Sequence, residues 1–187
     1  MPAQPAQNNS SPLICLPRDN GPLTMMNILI VDDDPANVAL LEAILQDAGY
    51  QCVKSITDSR LALDACQSFK PDLVLLDLMM PHVDGLTILE SLRFEAGAIL
   101  LPVVILTADT NMESRLRAMR AGATDFLLKP LDYAEVLLRV ANILESRRLQ
   151  QAIDKERSAC HSARARAEEF RSALWELENA RSAHFVL

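Results

Sequence analysis

Positive charge is in short supply. Lys and Arg number 18 against 25 Asp and Glu, which gives a net charge of −7 and a pI near 4.9. Nucleic-acid-binding surfaces are normally basic, so no direct nucleic-acid binding is expected. Metal-type cysteine spacing is also missing. Cys15, Cys52, Cys66 and Cys160 form no C-x-x-C pair, and no Cys/His cluster has zinc-finger spacing. Such scattered cysteines fit reduced thiols in the cytosol, where disulfides are rare. No apolar run approaches the ~20 residues that a membrane helix needs. The richest, AILLPVVILTA at 98–108, is interrupted by Pro102. No basic segment precedes an apolar stretch at the N-terminus, so no secretory signal is expected. The combined expectation is a cytoplasmic protein without membrane association. No internal repeat stands out.

What is present is enough for one well-cored domain and an appendage: 187 residues, half of them hydrophobic. The acidity is uneven. Residues 27–144 hold 17 acids and 9 bases, whereas 145–187 hold 7 and 8. Chemistry is therefore expected in the middle. Residues 1–24 are rich in Pro, Gln, Asn and Ser and cannot bury enough apolar surface to order themselves. The boundaries that follow are a disordered leader at 1–25, a folded domain at 26–146 and a helical tail at 147–187. Met25 and Met26 stand just before the first apolar run, so translation is expected to start at one of them.

From Asn27 onward, short apolar runs alternate with helical patterns. NILIV reads as a buried parallel strand. PANVALLEAILQDAGY places Val38, Leu41, Ile44, Leu45 and Ala48 on one helical face, and Gly49 stops it. QCVKSI is a weaker strand, suited to an edge. Asp58 is expected to cap a second helix with Leu61, Ala62, Ala65 and Phe69 inward. DLVLL at 72–76 is the most apolar strand and is expected at the centre. LTILESLRF reads as a third helix and PVVIL at 102–106 as a fourth strand. A helix at 111–121 closes at Gly122, TDFLL forms a fifth strand, and Asp132 opens a fifth helix. Five such alternations predict an α/β fold with a parallel sheet covered on both faces.

The strand ends carry the polar residues. The first ends in Asp32 and Asp33, the third in Asp77, the fourth in Thr107 and the fifth in Lys129-Pro130. In an open parallel sheet these carboxyl ends share one edge, where ligands bind. A lone Asp after a strand is usually a turn or cap residue. Three carboxylates, a hydroxyl and an ammonium at four strand ends are hard to attribute to turns. Clustered carboxylates suit a hard divalent cation such as Mg2+. One carboxylate can act as a nucleophile toward phosphorus, with cations and donors neutralising the transferring group. Asp34 differs from its two neighbours, because it precedes Pro35 and reads as the N-cap of the first helix.

The motifs IVDDDP, LLDLMMPHVDG, ILTAD and FLLKP, in that order, resemble the receiver domain of two-component response regulators over residues 27–144. The resemblance implies a flavodoxin-like (βα)5 doubly wound sheet, strand order 2-1-3-4-5, here followed by a long C-terminal helix. It implies Mg2+-dependent phosphoryl transfer from a sensor kinase phosphohistidine to Asp77, the chain being a phosphoacceptor that assists its own chemistry rather than an enzyme. Asp33 and Asp77 would ligate Mg2+ together with the backbone carbonyl of Met79, and Asp32 would act largely through a metal-bound water. Thr107 would bond a phosphoryl oxygen, and Lys129 would pair with the phosphoryl group or with Asp77. Phe126 stands at the family's aromatic switch position and would turn inward as Thr107 is drawn to the phosphate. Lys129-Pro130 resembles the family's cis X-Pro bond. Met79 is bulky and apolar where hydrolytic water would approach, which implies a long-lived phosphoryl group, while Asp109 could instead position that water. His82 reads as an exposed loop residue. Arg115, Arg117 and Arg120 read as a solvated face that coincides with the family's usual partner surface, built from helix four, strand five and helix five.

No Gly or Pro interrupts residues 131–180. Leu149, Ile153, Glu156, Cys160, Ala163, Ala167, Phe170, Leu174 and Leu177 recur at alternating steps of four and three, a heptad seam. A homodimeric coiled coil is one expectation; a single amphipathic helix is the other. The tail shows no helix-turn-helix pattern. The downstream target is not legible, and the chain could stand alone or belong to a larger regulator. Two other functions compete: a Mg2+-dependent phosphohydrolase using Asp32 and Asp34, and a coiled-coil adaptor with a vestigial receiver.

Overall fold

The computed structural model of the chain describes residues 23–95 and 101–183, with side chains over 23–94 and 101–172. Five strands form one parallel sheet: β1 (Ile28–Val31), β2 (Val53–Ile56), β3 (Leu73–Asp77), β4 (Val103–Thr107) and β5 (Asp125–Leu128), in the order β2-β1-β3-β4-β5. The helices are α1 (Pro35–Asp47), α2 (Ala62–Phe69), α3 (Gly85–Glu95), α4 (Met112–Arg120) and α5 (Tyr133–Ala183). The fold is flavodoxin-like, as expected, with the weak strand at one edge and the most apolar one in the middle.

Two apolar layers explain why the three central strands read as continuous hydrophobic runs. Successive side chains on a strand point to opposite faces. Ile28, Ile30, Leu73, Leu75, Val104 and Leu106 pack against α1 and α5 through Leu41, Leu45, Val136 and Val140. Leu29, Val31, Val74, Leu76, Val103 and Ile105 pack against α2, α3 and α4 through Ala65, Leu89 and Ala118. Each fully buried Leu or Ile contributes about 1.5–3 kcal/mol relative to exposure.

Local signals set the helix ends. Asp34 is the N-cap of α1, accepting from the Ala36 backbone N–H at 2.9 Å, and Pro35 opens the helix. Gly49 takes φ +90 after it, a left-handed turn that favours glycine.

Two expectations need correction. Leu23–Met25 are ordered as a 3-10 turn, so the disordered leader expected over 1–25 does not extend through them; the rest of that leader lies outside the described residues. Leu23 packs on the core, and the Thr24 carbonyl accepts from Gln51 N–H at 3.0 Å. Asp58 caps a 3-10 turn, Ser59–Leu61, rather than α2 itself. Leu61 consequently points outward, and the buried residue of that turn is Ser59. Asp77 is the last residue of β3, as expected, and its backbone pairs with Leu106.

Candidate metal and phosphoryl site

Strand register assembles the site. Asp77 pairs with Leu106, so Thr107 lies one residue further along the neighbouring strand. Thr107 pairs with Leu128, so Lys129 lies one residue beyond that, and its N–H donates to the Thr107 carbonyl at 2.8 Å. On the other side β1 runs parallel to β3 and delivers Asp32 and Asp33 to the same edge. Ligand atoms of Asp32, Asp33 and Asp77 all lie within 4.8 Å of one another.

Lys129 bridges the carboxylates. Its Nζ lies 2.8 Å from Asp77 Oδ1 and 2.8 Å from Asp32 Oδ2. The Lys129-Pro130 peptide is cis, as the resemblance implies. The contact to Asp77 has hydrogen-bond geometry, whereas Asp32 Oδ2 is wholly buried with an ion-pair contact and no aligned hydrogen bond. Asp32 Oδ1 accepts from the Asp34 N–H at 3.0 Å and from Asn37 Nδ2 at 3.2 Å. Asn37 was not singled out in the sequence, where it is one polar residue in an amphipathic helix.

Electrostatics favours a further cation. Burial raises the pKa of Asp77. The Lys129 ammonium opposes that shift, while Asp32 and Asp33 reinforce it. Burial pushes the Lys129 ammonium down, but its close contacts with the Asp32 and Asp77 carboxylates outweigh burial and the pKa rises. One ammonium facing three carboxylates leaves two negative charges in excess. Three oxygen-donor carboxylates whose ligand atoms lie within 4.8 Å of one another fit a hard oxygen-seeking ion.

The walls are defined as well. Thr107 is buried, and its Oγ1 accepts from the Asp109 N–H at 3.0 Å. Met79 is 78% exposed at the rim of an open cleft of about 450 Å3 that also includes Thr107, Asp109 and Arg117. The Asp109 carboxylate bonds the Ser114 hydroxyl and accepts from the Asn111 N–H at 2.8 Å, which holds its pKa below the usual range. It is thus engaged in the turn that starts α4. His82 is exposed, as expected, with φ 71.

Ser59 was missed by sequence reasoning. Its hydroxyl donates to the Pro81 carbonyl at 2.6 Å and accepts from the Val83 N–H at 3.1 Å, fastening the loop that follows Asp77. Gly85 closes that loop. A Cβ there would lie 2.1 Å from the Asp77 carbonyl oxygen and 2.9 Å from Leu78 Cα. Both obstacles are backbone, so α3 would have to move. Gly85→Ala is expected to cost about 3 kcal/mol or more, at the upper end of overpacking penalties, and a urea midpoint equal to wild type would contradict it.

Phe126 is half-buried on β5, and the Arg115 guanidinium stacks 3.6 Å from its ring centroid. Arg115 therefore departs from the solvated face on which sequence placed it, while Arg117 and Arg120 stay exposed. The gap between Thr107 and Phe126 measures only about 10 Å3, so an inward turn of the ring requires Thr107 and α4 to shift. The exposed apolar residues Met112, Leu116 and Met119 lie on α4. Among the described residues, no helix is long and apolar enough to cross a membrane.

Residues 28–141 match the family model described as response regulator receiver domain. The chain is 41% identical over 123 residues to a DNA-binding dual master transcriptional regulator, RpaA, of Synechocystis sp., covering 64% of this chain and 49% of that protein. It therefore spans about half the length of this relative. A putative response regulator from Chloroflexus aurantiacus superposes with a TM-score of 0.61 at 34% identity, covering 65% of this chain and 98% of that one. The receiver domain of a Pseudomonas aeruginosa sensor histidine kinase, with a magnesium ion coordinated in its active site cleft, superposes with a TM-score of 0.59 at 28% identity, covering 65% and 98%. These similarities overturn one expectation. A relative this similar is a DNA-binding regulator, so the acidity of this segment does not argue against direct nucleic-acid binding. Net negative charge was misread as a statement about partners.

Proposed function

The chain belongs to the response regulator receiver domain family of two-component signalling, and on that premise we propose that Asp77 accepts a phosphoryl group from a sensor kinase phosphohistidine in a Mg2+-dependent reaction. The observation that carries the reading is the shared position of Asp77, between the Lys129 ammonium and the Asp32–Asp33 carboxylates. A carboxylate oxygen of Asp77 attacks phosphorus, the P–N bond breaks, and its electron pair returns to the imidazole, which takes up a proton. Asp33, Asp77 and the Met79 backbone carbonyl would hold Mg2+, with Asp32 acting through its waters. The ion would supply charge neutralisation for the phosphoryl oxygens.

The chain's own residues do the remainder. Lys129 leaves its place on Asp77 Oδ1 to meet the incoming phosphoryl oxygens. The Thr107 hydroxyl turns from the Asp109 N–H to donate to one of them. Phe126 follows into the space that Thr107 vacates. The movement reaches α5 through Asp125, the residue before Phe126, which pairs with Arg139 at 2.6 Å. Exposed α4 residues and α5 are the surfaces through which the state is read. A DNA-binding output, as in the Synechocystis relative, is compatible with such a receiver. The chain acts as a phosphoacceptor and not as a turnover enzyme. The phosphohydrolase alternative loses support because Asp34 is exposed and occupied as the α1 N-cap.

The test is intact mass after incubation with Mg2+ and acetyl phosphate. One added phosphoryl group in wild type, lost in Asp77→Asn, is the expected result. Label kept in Asp77→Asn and lost in Asp32→Asn would overturn it. Met79 overhangs the cleft, so Met79→Asn, which removes apolar bulk and adds a polar amide, is expected to shorten the phosphoryl lifetime by about tenfold, a barrier change of ~1.4 kcal/mol. An unchanged rate of phosphate release would count against that role.

A further inference from the structure

Helix α5 leaves the folded body near Gln151, whose Nε2 donates to Asp72 Oδ1 at 2.8 Å. Beyond that point the helix continues, and nearly every residue through 172 is exposed. Leu149, Ile153 and Phe170 are 49%, 46% and 67% exposed on it, along the heptad seam that also holds Glu156, Cys160, Ala163 and Ala167. An exposed apolar stripe of this kind is built to be covered.

The flanks of the stripe identify the cover. With Ile153, Cys160 and Ala167 at a, and Leu149, Glu156, Ala163 and Phe170 at d, one flank carries Arg157, Arg164 and Arg171 at successive e positions. The other flank carries Ala152, Ala159 and Arg166 at g. Among the described residues none of these four arginines is in an ion pair. The acids Asp154, Glu168 and Glu169 occupy the outer b and c positions, away from the seam. The tail is near neutral in total, yet the edge that a partner would meet is basic.

A second copy fits this edge poorly. In a parallel pair, g residues face e residues of the next heptad. That would set Arg166 against Arg171, place Arg157 and Arg164 opposite alanines, and stack Glu156 on its own equivalent. In an antiparallel pair, e faces e, and arginines oppose arginines. Self-pairing gains no complementary charge in either direction.

We propose that residues 149–171 of α5 form a docking strip for an acidic amphipathic helix of another protein, paired as a heterotypic coiled coil. Apolar a and d residues of the partner cover the seam, and its Glu or Asp flanks meet Arg157, Arg164, Arg166 and Arg171. Small residues at Ala163 and Ala167 let the two helices approach closely. This inference is independent of the chemistry at Asp77.

The test uses the full chain and two synthetic helices about four heptads long, both with Leu at a and d. One carries Glu at e and g, the other Lys. Binding is measured by fluorescence anisotropy, with a short random-sequence DNA duplex as a third probe and light scattering on the chain alone. The Glu helix is expected to bind about tenfold tighter than the Lys helix, the sum of four modest flank pairs. The preference should invert in an Arg157→Glu, Arg164→Glu, Arg171→Glu variant. These positions are exposed, so folding is preserved. Equal binding of the two helices, or none, overturns the proposal. So does a stable dimer of the chain that the triple variant leaves intact, or DNA binding as tight as that of the Glu helix.

Discussion

Asp77→Asn is expected to abolish labelling by acetyl phosphate and, at neutral pH, to raise thermal stability. The first effect follows from chemistry, since an amide oxygen is not a competent nucleophile. The second follows from burial. Asp77 is almost fully enclosed, and its pKa is raised by desolvation and by the neighbouring Asp32 and Asp33 carboxylates, with Lys129 offsetting only part of this. A carboxyl whose folded pKa exceeds its unfolded one binds its proton more tightly in the folded state. Its stabilising contribution is therefore complete below the ordinary carboxylate pKa near 4 and is lost as pH rises through the raised folded value. As pH rises above that ordinary value, the wild-type chain increasingly bears the penalty of an enclosed charge. Asn removes the charge and keeps the shape, and its side-chain oxygen can still accept from Lys129. The thermal midpoint of Asp77→Asn should exceed wild type at pH 7, and the gap should narrow toward pH 4. Mg2+ should stabilise wild type more than the variant, because it binds the folded carboxylates. A variant that melts below wild type at pH 7 would contradict the account of a repulsive, cation-seeking site.

The fold was legible for a physical reason. Buried parallel strands read as unbroken apolar runs, and the helices between them carry a 3.6-residue stripe. NILIV, DLVLL and PVVIL therefore stood out, and the polar residues at their ends mark the cleft. The boundaries were less legible. Asp58 and Leu61 look like a helix start, but the Ser59 hydroxyl takes the inward place to hold the loop after Asp77, which turns Leu61 out. That role depends on a contact 22 residues away, which no local pattern encodes.

The site divides in the same way. Asp32, Asp33, Asp77, Thr107 and Lys129 announced themselves by position at strand ends. Asn37 and Ser59 did not, because they act by touching the residues or the loop that do. Arg115 shows the opposite error, since a charge on a polar helix reads as solvated, and only the fold reveals Phe126 beneath it. The mistaken expectation about nucleic acid has a similar origin. Net charge sums the whole surface, and it carries no information about which local patch a partner meets.

Lys129→Met is the second large effect, and it separates the structural role of the ammonium from its catalytic one. Lys129 is 19% exposed, while Asp32 and Asp77 are 0% and 4% exposed at their side chains. Methionine keeps the stem and removes the cation that touches both carboxylates. Removing one partner from an enclosed pair costs about 3–5 kcal/mol. Solvent reaches Lys129, and Asp77 can take up a proton, so a loss of about 2–3 kcal/mol is expected at pH 7 without Mg2+. The loss should shrink as pH falls, because protonating Asp77 relieves the repulsion that Lys129 had countered. Saturating Mg2+ should restore much of the stability, since a divalent ion takes over the neutralisation. It should not restore the switch: phosphorylated Lys129→Met should show no change in Phe126 side-chain resonances relative to its unphosphorylated form, whereas wild type should show one. If Lys129→Met matches wild type in urea midpoint without Mg2+, the ammonium is not what holds the carboxylates together. If its Phe126 signals still respond to phosphorylation, Lys129 lies outside the path that links Asp77 to β5.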